Sequence, residues 1–222
     1  MQRKPREPLS RERVAAAALD FADEHGLGQL SMRKLGAALG VEAMSLYNHV
    51  SNKDDLFDAI GELLYGEVLG RYDPAPLAHW SDDAYALVST FRQVALEHPN
   101  AVSLMLDRPL PTQTRIDFLQ SCYELFRRAG FSLKQAALAF DMTASWVTGA
   151  VRFEIGLMAG LAETDTDLDR SQVPKHLLDA FDFMTACDAW TPDQRFDFGF
   201  DTIMDGLSSQ LSAVASKDPA DH

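Results

Sequence analysis

Hydrophobic residues recur along this chain at spacings of three and four, and no run alternates with the period of two that a strand requires. In the first such segment Ser10 is a suitable N-cap, and Gly26 marks the end of the helix. The same pattern predicts further helices over 31–40, 43–49, 52–70, 81–97, 99–106, 112–129, 132–160, 174–188 and 192–213. It therefore predicts an all-α protein of about nine to ten helices.

Polar and apolar positions divide sharply near the amino end. Leu35 and Leu39 face inward on the second helix, Gly40 provides a turn, and Leu46 faces inward on the third. A helix, a glycine turn and a second helix make up the helix-turn-helix arrangement, whose second helix enters the DNA major groove. The outward face of the third helix is too mixed for packing and too weakly charged for a solvating surface: Ala43, Met44, Ser45, Tyr47, Asn48 and His49. These side chains can bind phosphates and base edges.

The distribution of charge supports a separate DNA-binding end. Residues 1–53 carry eight Lys/Arg against six Asp/Glu, whereas residues 54–222 carry twelve against twenty-seven. An acidic protein binds DNA through a small shaped patch, because its bulk charge repels DNA. We predict a disordered basic arm (1–9), a three-helix DNA-binding domain with a connecting helix (10–70), a helical ligand-binding and dimerisation domain (71–215) and a disordered tail (216–222). The first domain boundary falls at two prolines within 71–79, which break any helix.

The segment LSMRKLGAALGVEAMSLYNHVSNKDDLFDAI (30–60) closely resembles the DNA-binding domain of the TetR family of bacterial transcription regulators, and the resemblance covers about the first 65 residues. It implies that Arg33 enters the groove and reads a guanine. It also implies that Ser45, Tyr47, His49 and Lys53 hold phosphates, while positions 43, 44 and 48 face bases. Arg33 and Lys34 as solvated charges, and Tyr47 as a cover for the core, stay open as alternatives. His49 has no partners at metal-ligand spacing.

The carboxyl-terminal part resembles the tetracycline-repressor branch of that family, through RAGFSL (128–133) and TGAV (148–151). The resemblance implies that the long helix from 132 and the last helix form a four-helix bundle between two subunits. The dimerisation residues that we predict lie along the last helix, where Gly199 and Gly206 permit close approach: Phe200, Ile203, Met204, Leu207 and Leu211. Packing within one subunit is the alternative. A two-fold dimer would place two recognition helices roughly 34–36 Å apart on a palindromic site.

The same branch binds a magnesium–tetracycline chelate through residues that this chain lacks. Leu104 stands where the histidine is expected, Asp107 replaces a threonine, and Phe153 stands at the position of a glutamate. Hard cations need oxygen and imidazole ligands, so we predict no metal, no cofactor and no tetracycline. We expect an apolar or aromatic small molecule instead. Its candidate lining residues, which could equally be ordinary core, are Met105, Phe118, Cys122, Phe126, Met142, Trp146 and Phe153.

Other classes of protein are less compatible with the sequence. Cys122 and Cys187 each lie in an apolar segment, as expected of reduced thiols in a cytoplasmic protein, and no stretch of 18 apolar residues could span a membrane. The chain contains no glycine-rich phosphate loop and no paired-histidine motif, so an enzyme of helical fold is disfavoured. We predict a homodimeric, ligand-responsive transcription regulator, most often a repressor in this family. A regulator of the same fold without a small-molecule effector remains the alternative.

Overall fold

The computed structural model of the protein describes residues 8–73, 79–108, 112–163, 173–179 and 191–215, with the backbone alone for 160–163 and 211–215. Every regular element in these ranges is helical, which confirms the all-α prediction. Most of the predicted arm, the whole predicted tail and Cys187 lie outside them. The helices are α1 (Arg11–His25), a 3-10 turn (Leu27–Gln29), α2 (Met32–Leu39), α3 (Ala43–Leu46), α4 (Lys53–Arg71), α5 (Trp80–Glu97), α6 (Ser103–Leu106), α7 (Gln113–Arg128), α8 (Leu133–Glu163), the segment 175–179, and α9 (Pro192–Ala215).

Side-chain caps fix the starts of several helices where the sequence predicted them. The Ser10 hydroxyl accepts a hydrogen bond from the backbone N–H three residues on, at 3.2 Å. Ser132 and Gln135 form a reciprocal capping box, because the glutamine oxygen accepts from the backbone N–H of Ser132 at 2.9 Å. Thr191 and Gln194 repeat this arrangement at the start of α9. Each box satisfies backbone donors that the first helical turn leaves unpaired.

A glycine turn joins α2 to α3. Gly40 adopts the left-handed conformation (φ 66°). The N–H groups of Gly40 and Val41 donate to the carbonyls of Ala37 and Gly36 at 3.1 and 2.9 Å. This is a Schellman ending, which needs a residue without a Cβ penalty at the left-handed position. A Cβ atom on Gly36 would lie 2.9 Å from the Val41 carbonyl oxygen and 3.1 Å from the Ala43 nitrogen. Gly36 therefore lets α3 approach α2 closely.

The chain forms two compact units, Met1–Leu125 and Phe126–His222, which divide inside α7. Within the first unit α4 packs against α1, α5 and α6, across the domain boundary predicted at residue 71, which stays a prediction. Side chains less than 2% exposed fill the interior between α1 and α4: Val14, Ala18, Leu56, Ile60 and Leu64. The connection after α5 also holds α1, since Nδ1 of His98 lies 2.7 Å from an Asp23 carboxylate oxygen and the Asn100 amide donates to the Asp23 carbonyl at 3.0 Å.

In the second unit α8 packs against α9 around one tryptophan. The Trp146 ring lies 4.9 Å from the ring of Phe196 and 6.4 Å from that of Phe200. A Cβ atom on Gly199 would come within 2.8 Å of the Trp146 ring. Gly199 therefore permits a close contact within one chain, in addition to any contact between subunits for which the spacing of this helix was proposed.

Among the described residues, no helix combines the length and the apolar character that crossing a membrane requires.

The close contact at Trp146 makes Gly199 sensitive to added volume. We expect Gly199→Ala to lower the free energy of unfolding by about 1–3 kcal/mol, because the ring is held between two phenylalanines and cannot move away. Gly70→Ala is the matched control, since a Cβ atom there meets open space in a helix. It should leave stability unchanged or raise it by up to about 1 kcal/mol. Urea unfolding followed by circular dichroism measures both, and equal stability of the two variants would contradict the packing described.

The turn between α2 and α3 gives a second prediction. Gly36→Val should cost about 1–3 kcal/mol of unfolding free energy, because its Cβ meets backbone atoms that cannot rotate away. Ala37→Val, at an exposed position of the same helix, should cost only the difference in helix propensity, about 0.5 kcal/mol. Thermal unfolding distinguishes the two variants, and a similar loss in both would mean that the turn relaxes freely.

Candidate nucleic-acid interface and ligand residues

Few side chains of α3 are buried. Among its four residues only Leu46 is fully buried, and Val50 follows as the next buried side chain. The sequence predicted a helix to His49, but α3 ends at Leu46. The chain continues in a turn in which the N–H of His49 donates to the carbonyl of Leu46 at 2.9 Å. Tightening of the last turn in this way is common at helix ends. Most of this short element is therefore available for contact with another molecule.

All nine predicted DNA-binding residues reach the surface. Met44 is 73% exposed and Tyr47 is 44% exposed, so Tyr47 covers the core with only part of its ring. Arg33, Lys34, Asn48 and Lys53 are exposed, whereas Ala43, Ser45 and His49 are half-buried. The surface thus combines two methyl-bearing side chains with hydroxyl, amide, imidazole and cationic groups. These are the groups that contact thymine methyls, base edges and phosphates in the major groove.

Two of the cations also contact residues of their own chain. The Lys34 ammonium donates to the Gln29 side-chain oxygen at 3.0 Å. The Lys53 ammonium lies 5.1 Å from the centre of the Phe57 ring. Both ammonium groups remain exposed and keep donors free for a phosphate. Each side chain is thereby held near the surface without being neutralised by a carboxylate.

The half-buried carboxylate of Asp55 fixes the start of α4 next to this surface. One Asp55 oxygen accepts from the N–H of Ser51 and the other from the guanidinium of Arg11 in α1, both at 2.6 Å. Asn52 caps the helix by accepting from the N–H of Asp55 at 2.9 Å. The Ser51 N–H contributes most to lowering the pKa of Asp55, and Arg11 lowers it further. The ionised carboxylate therefore ties α1, the chain after α3 and the start of α4 together.

Sequence reasoning missed one exposed acid at this surface. Glu42 precedes α3 in extended conformation, and its side chain makes no capping bond with the helix. A carboxylate at this place repels phosphates but can accept a hydrogen bond from the amino group of cytosine. Its position directly before Ala43 was the available signal.

One group of potential metal ligands occurs among the described residues. Ligand atoms of Glu67, Glu97 and His98 lie within 4.8 Å of one another. Arg71 already occupies both carboxylates, at 2.5 Å from Glu67 and 2.6 Å from Glu97. The pairing with Arg71 lowers the pKa of Glu97. The cluster joins α4 to the end of α5 as an ion-pair network, and its charges are balanced in large part without a metal.

The seven predicted ligand residues are divided between the two units, and the three in the first unit lie around Tyr65. In the first unit, Met105, Phe118 and Cys122 are buried, and burial raises the pKa of the Cys122 thiol to about 12. In the second unit, Phe126 and Trp146 pack against other aromatic rings of that unit. Met142 and Phe153 are more than half exposed on α8.

Most of the predicted dimerisation residues on α9 are buried within the single chain. Phe200, Met204 and Leu207 are buried, and Ile203 is half-buried. Phe200 contacts Trp146 of α8. The side chain of Leu211 lies outside the described residues. The prediction placed these residues between subunits, because spacing alone does not tell which neighbour a helix face meets. The exposed apolar side chain of α9 is instead Phe198.

Comparisons with known proteins agree with these features. A family model described as bacterial regulatory proteins of the tetR family matches residues 14–60, and one described as the tetracyclin repressor-like C-terminal domain matches residues 73–211. An HTH-type transcriptional regulator of Saccharopolyspora erythraea is 35% identical over 146 residues, which are 66% of this chain and 61% of that protein's length. The tetracycline repressor protein class D of Escherichia coli is 29% identical over 210 residues, covering 93% of this chain and 92% of that protein.

A solved structure of a TetR variant from Acinetobacter baumannii AYE in complex with minocycline is also similar. It is 26% identical, with a TM-score of 0.74, and the match covers 97% of this chain and 98% of that chain. The family models together span the helix-turn-helix segment and most of the helices that follow it. The chain belongs to the TetR family of bacterial transcription regulators, with a tetracycline-repressor-like carboxyl-terminal domain.

Proposed function

We propose that this regulator is a dimeric repressor that binds a palindromic operator in the bacterial cytoplasm and leaves it when a small aromatic effector binds. The observation that carries the proposal is the exposure of α3, a four-residue helix that buries only Leu46. Hydrogen bonds of the Gly40 turn before it, and of Asp55 and Asn52 after it, hold the flanking backbone in place. A side chain as apolar as Met44 is left in water at a cost, which contact with a thymine methyl would offset.

Dimerisation is supported by an apolar face on the long helix α8. Leu138, Met142 and Phe153 are each more than half exposed and lie on one side of the helix. The other positions on that side are small: Ser145 and Gly149 lie between Met142 and Phe153, and Gly156 follows Phe153. We call this set the α8 stripe. Large side chains separated by small ones allow two helices to interdigitate closely, and an exposed apolar face of this length indicates a partner. The proposed interface therefore moves from the buried face of α9 to the α8 stripe, with Phe198 exposed on α9.

An effector that is not a tetracycline chelate is supported by the residues at three positions. Leu104 is buried and apolar, Asp107 is exposed, and Phe153 belongs to the α8 stripe. None of these offers the inward imidazole or oxygen ligand that a magnesium chelate needs. An aromatic effector without a metal fits the apolar residues of this chain.

Helix α4 is proposed to transmit effector binding to the DNA-binding surface, and we call it the lever. Its first residue, Lys53, lies at the proposed nucleic-acid surface. The same helix packs against α5 and α6, and the hydroxyl of Tyr65 donates to the Met105 carbonyl in α6. Arg108, which follows α6, binds Asp58 at 2.8 Å and Asp54 at 3.4 Å, and its guanidinium lies 5.7 Å from the Phe57 ring. A shift of α6 would therefore pull the first turns of α4. An effector that prefers the shifted state lowers DNA affinity by that preference, and DNA weakens the effector equally.

Selection of bound DNA from a random pool at a stated salt concentration tests this function. We expect an enriched palindrome whose half-sites are about one helical turn apart. Recovery of no enriched sequence would overturn the proposal. Once an effector is identified, equal operator affinity with and without it, at fixed salt, would contradict the lever.

The proposed phosphate contact of Lys53 predicts a change in salt dependence. Lys53→Gln should weaken binding to the operator and binding to unrelated DNA by similar factors, because a phosphate contact carries no sequence information. The slope of log K against log salt should fall by about 0.9 for each phosphate lost, or about 1.8 for two heads. Lys134→Gln, at an exposed lysine in the first turn of α8, is the control and should leave the slope unchanged. Fluorescence anisotropy at four salt concentrations measures it, and an unaltered slope for Lys53→Gln would remove this residue from the interface.

The proposed dimer interface predicts a change of assembly. Met142→Glu places a charge in the middle of the α8 stripe, and we expect mainly monomer at micromolar concentration together with at least about tenfold weaker operator binding. Leu133→Glu is the matched control, because Leu133 is 71% exposed on the same helix but lies off the stripe. Sedimentation equilibrium measures both variants. A dimer that survives Met142→Glu would place the interface elsewhere.

A further inference from the structure

The first unit contains an arginine whose described contacts include no carboxylate. Arg115, in the first turn of α7, is half-buried, and its guanidinium donates to the hydroxyl of Tyr65 in α4. The guanidinium carbon also lies 5.1 Å from the centre of the Tyr65 ring. The Tyr65 hydroxyl donates in turn to the carbonyl of Met105 in α6 at 2.9 Å. A single polar chain thus joins α7, α4 and α6.

The other arginines around α4 are neutralised by acids. Arg11 binds Asp55, Arg71 binds Glu67 and Glu97, and Arg108 binds Asp58. Arg115 differs, because its partner among the described residues is a neutral hydroxyl. A guanidinium has five N–H donors in a planar fork that matches two oxygens of an anion. A half-buried cation without a counter-ion has lost part of its hydration, and no ion pair compensates for that loss. An anion therefore binds it more strongly than it would bind an exposed lysine.

The surroundings of Arg115 are aromatic and apolar. The Tyr65 ring, only 4% exposed, lies 5.0 Å from the ring of Phe118, which lies 6.0 Å from that of Phe91. The buried Cys122 thiol is close enough for Arg115 to act on its charge, although burial keeps its pKa high. Burial also raises the pKa of Tyr65, so the hydroxyl beside Arg115 stays neutral. A molecule that fits beside these groups would have an aromatic body and one negatively charged group.

We propose that the effector carries an acidic group, such as a carboxylate, a sulfonate or an ionised phenol, which binds Arg115 beside Tyr65. This inference rests on the proposed function, since it specifies the chemical class of the effector. An anion that takes donors of Arg115 from the Tyr65 hydroxyl acts on the group that holds the Met105 carbonyl. Met105 lies in α6, three residues before Arg108, which holds α4. Binding at Arg115 is therefore next to the proposed lever.

A pair of fluorescent probes isolates the contribution of the negative charge. The anionic probe 8-anilino-1-naphthalenesulfonate and the neutral probe N-phenyl-1-naphthylamine share one aromatic skeleton and differ in the sulfonate. Both are titrated with the full-length protein at fixed pH and salt, first with the wild type, then with Arg115→Gln and Arg115→Lys. Lys134→Gln again serves as control for nonspecific attraction of the sulfonate to surface cations.

We expect Arg115→Gln to weaken binding of the sulfonate probe by about tenfold or more and to change the affinity for the neutral probe by less than about twofold. Arg115→Lys should give an intermediate loss, because it keeps the charge and loses the fork. Lys134→Gln should alter neither probe. The proposal is overturned if Arg115→Gln weakens both probes equally, if it weakens neither, or if the wild type binds neither. Circular dichroism verifies folding, and should Arg115→Gln fail to fold, Arg115→Lys alone decides between these results.

Operator binding distinguishes failure of this inference from failure of the proposed function. Without effector, operator binding is measured on the wild type and on Lys134→Gln, because Arg115→Gln removes donors from the Tyr65 hydroxyl that holds the Met105 carbonyl. If the probes show no charge preference while operator binding persists, the acidic effector is wrong and the repressor stands. If the wild type selects no DNA, the proposed function is wrong whatever the probes show.

Discussion

The position of α3 depends on contacts that α3 itself does not make. A helix of four residues has almost no stability of its own, and this one buries a single leucine. Its position is set on one side by Gly36 and the left-handed Gly40, and on the other by the Asp55 carboxylate, which holds Ser51 and Arg11 together. Rigid backbone on both sides leaves the exposed side chains of α3 free to be chosen for recognition rather than for folding.

Helix α4 contacts two different parts of the first unit. Lys53 lies at the proposed nucleic-acid surface, and the ring of Phe57 is close to both Lys53 and Arg108. At Tyr65 the helix reaches a buried hydroxyl that holds α6. One helix therefore joins the proposed DNA-binding surface to α6, through Tyr65 and through the ion pair of Asp58 with Arg108. That mechanical link requires no movement inside the recognition helix.

Periodicity and caps predicted most of the helices, because both are local properties of the sequence. Ser132 with Gln135, and Thr191 with Gln194, marked helix starts that the structure confirms. Partners distant in the sequence were not predictable. The face of α9 carrying Phe200 packs within its own unit, while α8 exposes Met142, and spacing alone assigns neither. The outward face of α3 could be recognised because its residue types fit neither core nor solvent, and its role in DNA binding stays a prediction. The contact between Tyr65 and Arg115 joins positions fifty residues apart, and no local pattern encodes it.

The acidic charge of the chain bears on both of its proposed ligands. Residues 54–222 carry an excess of fifteen negative charges, which opposes DNA and an anionic effector alike. This repulsion is screened beyond about 8 Å at physiological salt, so it acts weakly on a ligand held against one cation. Arg115 is half-buried and therefore less screened than a surface charge. An acidic effector would be attracted by that local cation and by aromatic contact, despite the negative charge of the chain as a whole. The negative charge thus favours selective binding at two small sites over nonspecific binding across the surface.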